Sequence, residues 1–176
     1  MKRFAVLACV MSLAAVGCDK SINPVGPSGV VTLVAQLSGA SNVPPAGSLE
    51  TGATGSLQIT MTPATGGGYT ASFALSLSGL VKAGVLAAPL DSGSVIVAGY
   101  VHQGAAGTLG APVVTLPISQ TAPLLSPTGT VLVTLSGVSI PASTASAILA
   151  SPSGYYFNLY SALNQNGVLR GQLVAK

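Results

Sequence analysis

Charge is what this chain has least of. Six of its 176 residues are Lys or Arg and three are Asp or Glu, so charged groups make up 5% of the sequence, against about 25% in a typical domain. Beyond residue 17, Lys20, Lys82, Arg170 and Lys176 stand against Asp19, Glu50 and Asp91, four cations against three carboxylates and a net charge of +1. No basic cluster offers itself to phosphates, so nucleic acid is excluded as a partner. There is one histidine, His102, and there are two cysteines and no tryptophan. Beyond residue 29 the only acids are Glu50 and Asp91. A glycosidase-type pair would have to be these two, each in a separate turn-like context. A serine hydrolase would need His102, Asp91 and a serine, but no G-x-S-x-G elbow is present. A protein-built zinc or copper site usually takes three or four ligands, which here would come from three distant segments. The expectation is no catalytic residue, no metal and no cofactor.

What the chain has instead begins with its first 21 residues, MKRFAVLACVMSLAAVGCDKS. Lys2 and Arg3 precede an apolar run, residues 4–16, of signal-peptide length, shorter than the roughly 20 residues of a bilayer-spanning helix. Ala15-Val16-Gly17-Cys18 resembles the lipobox of bacterial lipoproteins, in which a diacylglyceryl group is attached to the cysteine sulfur before cleavage on its amino side. The resemblance implies a signal peptide over 1–17 and a lipid anchor on Cys18. Cys9 would leave too short an apolar run after Arg3. Only Cys18 would remain in the processed chain, so no intramolecular disulfide can form. Several acyl chains anchor a protein durably where one does so marginally. The expected location is the non-cytoplasmic side of a bacterial envelope membrane, inner or outer left open. Residues 18–29 carry the cysteine and then a proline- and glycine-punctuated tether, which spans roughly 36 Å when extended.

From residue 30 the sequence alternates with period two. Tyr69, Ala71, Phe73, Leu75 and Leu77 fall on one face of their run, and Leu57, Ile59 and Met61 on one face of theirs. Similar runs occupy 30–37, 95–102, 113–116, 130–135, 155–160 and 168–174. About eight short strands between Gly, Pro and Ser turns predict an all-β antiparallel sandwich over 30–176, Greek-key in topology, with at most one short helix. That helix would lie in PASTASAILASPSG, capped by Ser143 and stopped by Pro152. Three runs end alike, at QLSGA, SLSGL and TLSGV. Leu37, Leu77 and Leu135 each close a core face there before Ser-Gly turns the chain. GAAGTLG, residues 104–110, is followed by no helix that could cradle phosphate and reads as a turn. Tyr155, Tyr156 and Tyr160 have no basic sequence neighbours and read as sheet residues rather than a stacking platform. Arg170 alternates with Val168, Gln172 and Val174, on the wetter face, where carbonyls or one of the acids would satisfy it.

AQLSGASNVPP, LSGL, GYVHQGAAGTLGAPVV and YYFNLYSALNQNGVLRGQL occur in this order over residues 33–174, and together they resemble the CHRD domain. The most specific part is the closing Gly167-x-x-Arg170-Gly171-Gln172-Leu173. The resemblance implies an all-β fold with no established catalytic activity. The family's middle motif usually reads His-x-His and its late motif Asn-x-His; here they are Tyr100-Val101-His102 and Asn158-Leu159-Tyr160. The middle motif is also, more weakly, similar to a ligand strand of copper/zinc superoxide dismutases. Alternation puts Tyr100 with His102, and Asn158 with Tyr160, on one face of each strand, a candidate recognition patch. His102 reads first as a hydrogen-bonded structural residue, with ligand recognition and metal binding as alternatives.

The chain is therefore expected to be a lipid-anchored, extracytoplasmic, non-catalytic binding or adhesion module. Its partners would be the membrane, through Cys18, and an envelope protein or polysaccharide. A dismutase-type metal-dependent oxidoreductase and a self-associating structural envelope component are the alternatives.

Overall fold

A computed structural model describes residues 29–47, 49–86 and 92–176. The expected signal peptide, Cys18 and nearly all of the expected tether lie outside the described residues, as does Asp91. No helix among the described residues is long and apolar enough to cross a membrane.

Ten strands follow one another: β1 (Val31–Ser38), β2 (Thr54–Pro63), β3 (Tyr69–Ser78), β4 (Ser94–Gln103), β5 (Pro112–Thr115), β6 (Leu124–Ser126), β7 (Val131–Ile140), β8 (Tyr155–Ser161), β9 (Leu169–Gln172) and β10 (Val174–Ala175). The expected all-β antiparallel body is what forms, and the one α-helix among the described residues, α1 (Ala142–Ala150), precedes β8. Hydrogen bonding joins the strands into a single sheet, in the order β5-β4-β8-β9-β1-β2-β3-β7, with β6 on β4 and β10 on β1. β1, β2 and β3 are successive antiparallel neighbours and β9 lies on the other side of β1, but the strand that follows β3, β4, pairs with β5, β6 and β8, so these strands do not close the expected Greek key.

The sheet curls over on itself. Phe73 on β3 and Phe157 on β8 are four strand spacings apart along it, roughly 19 Å if it were flat, yet their ring centroids are 6.3 Å apart. The layers of the sandwich are thus two parts of one nearly closed sheet. Its core holds the alternating set expected from sequence, including Leu57, Ile59, Met61, Ala71, Phe73 and Leu75, all buried. The end strands β5 and β7 approach across a groove lined by Leu116, Pro117, Gly137 and Val138.

Several local expectations are corrected. The helix takes Pro141, without a side-chain bond, as its N-cap, and Ser143 lies inside it. Only two of the three Leu-Ser-Gly endings terminate a strand. At the third, β7 runs on to Ile140 through a bulge, in which Ser136 and Gly137 together oppose Ser72 of β3. Gly137 absorbs the bulge with a φ of 79°, the left-handed conformation that one class of bulge requires. The run at 168–174 is interrupted at Leu173, whose N–H turns to Tyr155 O at 2.9 Å, while Arg170 before it and Val174 after it pair with β1.

Candidate functional site

Strand β8 is buried on both faces. One face, with Phe157 and Leu159, joins the core. The other carries polar residues contributed by three neighbouring strands. His102, Tyr156 and Gln172 stand in one row across β4, β8 and β9, and Tyr100, Asn158 and Arg170 in the next. Residues 104–111, between β4 and β5, fold over this face and shut out water from most of it.

His102 is 6% exposed. Its Nδ1 lies 2.9 Å from Gly110 O. A carbonyl can only accept, so Nδ1 carries the proton. Nε2, 3.2 Å from the Tyr160 hydroxyl, then accepts from it, and the neutral imidazole uses both nitrogens. Burial holds its pKa below the ordinary 6.5; the Gly110 bond opposes that shift and the Arg170 charge adds to it. Burial likewise raises the Tyr160 phenol above its usual 10, against the Asn158 amide bond and with help from Tyr156 and Tyr100.

The imidazole stacks on Tyr156, centroids 4.9 Å apart and planes within 2°. Because β8 lies between β4 and β9, Arg170 reaches the same ring from the opposite neighbour, its Cζ 3.5 Å from the centroid. Tyr156 was expected to have no basic neighbour; it acquires one from the next strand, fourteen residues on. Arg170 was expected on the wetter face, and it is on the polar one, but the 104–111 loop buries it to 2% exposure. Its Nη2 donates to Ala105 O at 3.1 Å and Thr108 O at 2.7 Å, so carbonyls take the role foreseen for them. The Tyr156 hydroxyl accepts from Gly110 N at 3.1 Å, and Gln172 Nε2 donates to Gly104 O and Ser153 O, each at 2.7 Å. The closing motif is thereby given physical roles. Arg170 and Gln172 tie down the loop, Leu173 is wholly buried, and Gly171 lies where a Cβ would come 2.1 Å from Gln36 O.

The four residues of the candidate patch converge on this face. The Tyr100 ring meets those of His102 and Tyr160 edge to face, both at 5.7 Å. Their exposure differs: His102 and Asn158 are buried, whereas Tyr100 and Tyr160 are only half-buried. The two tyrosines border an open groove of about 400 Å³ that Ile118, Ser119, Gln120 and Gln165 complete.

Sequence reasoning missed Glu50 as a structural centre. It sits in a turn, as expected, but is fully buried. Its carboxylate accepts from Ser94 Oγ, from Ser161 Oγ at 2.6 Å and from Asn164 Nδ2. Those partners lie 44 to 114 residues away, so no local pattern could have revealed them. Ser94 opens β4 and His102 nearly closes it, eight residues on, about 26 Å at strand rise. Glu50 and His102 therefore anchor opposite ends of the same strand pair. Among the described residues no three His, Cys, Asp or Glu side chains gather as metal ligands do.

Fold and site define a class: an all-β domain whose covering loop is pinned by a histidine–tyrosine–arginine stack and by a Gly-x-x-Arg-Gly-Gln-Leu strand. The family model of the CHRD domain matches residues 33–173, a span running from β1 through that closing motif. The chain belongs to the CHRD domain family. No curated protein and no solved structure matches it.

Proposed function

We propose that this CHRD domain is a non-catalytic binding module, held by acyl chains on Cys18 at the non-cytoplasmic side of a bacterial envelope membrane, with Tyr100 and Tyr160 as its contact residues. The observation that carries the reading is the groove beside those rings. Aromatic edges and faces next to neutral amides and a hydroxyl suit an uncharged polymer, a polysaccharide strand above all, and no charged side chain lines the groove. His102 and Asn158 act beneath the surface, fixing the Tyr160 hydroxyl from below. Acid–base catalysis needs partners within hydrogen-bond reach, and the separation of Glu50 from His102 counts against the two working together.

The test uses the full chain and immobilised neutral polysaccharides such as cellulose, starch and dextran. Tyr100→Ala should cut retention about tenfold while leaving the unfolding midpoint within a few degrees. Equal retention of the variant would refute the assignment. Labelling cells with an alkynyl fatty acid should tag the wild type and not Cys18→Ala; a tagged Cys18→Ala chain would refute the anchor. One tightly held metal per chain in elemental analysis, lost in His102→Gln, would favour the dismutase-type oxidoreductase instead.

A further inference from the structure

The sheet ends on β7, which among the described residues pairs with β3 on one side and with no strand on the other. Natural edge strands are guarded by lysine, proline, an inward charge or a bulge. The bulge at Ser136 and Gly137 guards the second half of β7, and residues 136–139 also line the groove toward β5. The first half, Val131-Leu132-Val133-Thr134-Leu135, has no guard. It is made of β-branched and apolar residues, pairs one for one with Leu77 back to Phe73 of β3, and carries no charge.

Both faces of this stretch are short of cover. On the core side Phe73 and Leu75 of β3 are 0% and 1% exposed, whereas Leu135 and Val133, which pair with them, are only partly buried. On the outer side Leu132 is 88% exposed. Its neighbours there are Ser76 and Ser56 in its own row and Thr134, Ala74 and Gln58 in the next, all of them neutral. An extended strand laid along 131–135 would take up the outward N–H and C=O groups and cover both sides at once.

The occupant that fits is a second copy of the same stretch. Its midpoint is Val133, and antiparallel pairing about a two-fold axis there sets Val133 against its own counterpart, Val131 against Leu135 and Leu132 against Thr134. Every core-facing pair is then Val with Val or Val with Leu, and the two Leu132 side chains meet on the diagonal across the axis. Two neutral edges do not repel one another, and a foreign strand selected by charge would find none to read. We propose that the chain dimerises through residues 131–135 of β7, the two sheets joining into one about an axis at Val133. The bulge at Ser136 and Gly137 ends the match on both sides and fixes its register.

Sedimentation equilibrium of the full chain in density-matched detergent should show dimer in exchange with monomer. Leu132→Lys puts a guard on the edge, twice over because of the two-fold, and should weaken the dimer about tenfold or more. Leu132 points into solvent, so the same change should leave the far-ultraviolet circular dichroism spectrum as it is. Thr62→Lys, an exposed change on β2, should leave association unchanged. The register is read by single cysteine substitutions at positions 131–135 in a chain carrying Cys9→Ala and Cys18→Ala. A disulfide between copies needs Cα atoms within about 7 Å, which only a residue set against its own counterpart meets, so Val133→Cys should crosslink best. A monomeric wild type, a dimer indifferent to Leu132→Lys, or crosslinking that peaks away from position 133 would each overturn the proposal.

Discussion

Replacing His102 by leucine removes one donor and one acceptor from a nearly closed layer and leaves both partners in place. Gly110 O loses the Nδ1 proton and the Tyr160 hydroxyl loses its acceptor. Both bonds are partly buried, so each orphaned partner costs near the lower end of the usual range, about 1 kcal/mol. Loss of the parallel stack on Tyr156 adds about 0.5–1.5 kcal/mol, for a total of about 2–4 kcal/mol. Glutamine keeps the means to bond one of the two partners and should lose about half as much. Urea unfolding followed by far-ultraviolet circular dichroism, near neutral pH, measures both. Acidity adds a second signature. The folded-state pKa of His102 lies below the unfolded value of 6.5, so the unfolded chain takes up the proton first. The contribution is complete above about pH 6.5 and declines as the pH falls from there through the folded pKa. The gap between wild type and His102→Gln should therefore narrow between about pH 7.5 and about pH 5.5. A leucine variant within about 0.5 kcal/mol of wild type, or a gap that ignores pH, would refute the account of His102 as a doubly bonded neutral residue.

Two further substitutions probe the supports at either end of the polar layer. Gly171→Ala forces a Cβ to within 2.1 Å of Gln36 O, so β9 must part from β1. Destabilisation of about 3 kcal/mol or more is expected, read as a fall in thermal midpoint and a rise in protease sensitivity. Glu50→Gln turns an amide NH₂ toward the donors Ser94, Ser161 and Asn164, which the carboxylate now receives with both oxygens. A loss of about 1–3 kcal/mol in chemical unfolding is expected, and Ser94→Ala, which removes one donor, should lose less.

The sequence made visible what recurs at short range. Alternation at 69–78 exposed the inward face of β3 because that sheet has core on one side and water on the other. The same logic misled at Arg170, where a strand with both faces covered presents polar residues that look solvated. β6 is three residues long and gives no period to read. The third Leu-Ser-Gly stop failed because a glycine bulge and a glycine turn have the same local signature. The candidate patch could be guessed as two same-face pairs, but their convergence depends on β4 and β8 being neighbours, which no local pattern encodes. Glu50 stayed hidden for the same reason.

Strand β9 has a consequence for how the domain is assembled. Among the described strands it links β8 and its neighbours to β1 and its meander in the path of the sheet. A chain completed as far as α1 can form hairpins on either side, tied by Leu80 N to Gly129 O at 3.1 Å and Ser94 N to Val81 O at 2.8 Å, but it lacks the strand that unites them into one sheet. Residues 169–175 act as a latch: Arg170 comes to Ser38 across 132 positions of chain, and the same few residues bring the guanidinium to Tyr156 and bind the covering loop. Closure is thus a late, long-range event, of the kind that makes β-rich domains fold in milliseconds to seconds. The same strand also pins the covering loop through Arg170 and Gln172, so a loosened latch would open the buried layer of His102, Tyr156 and Arg170 to water.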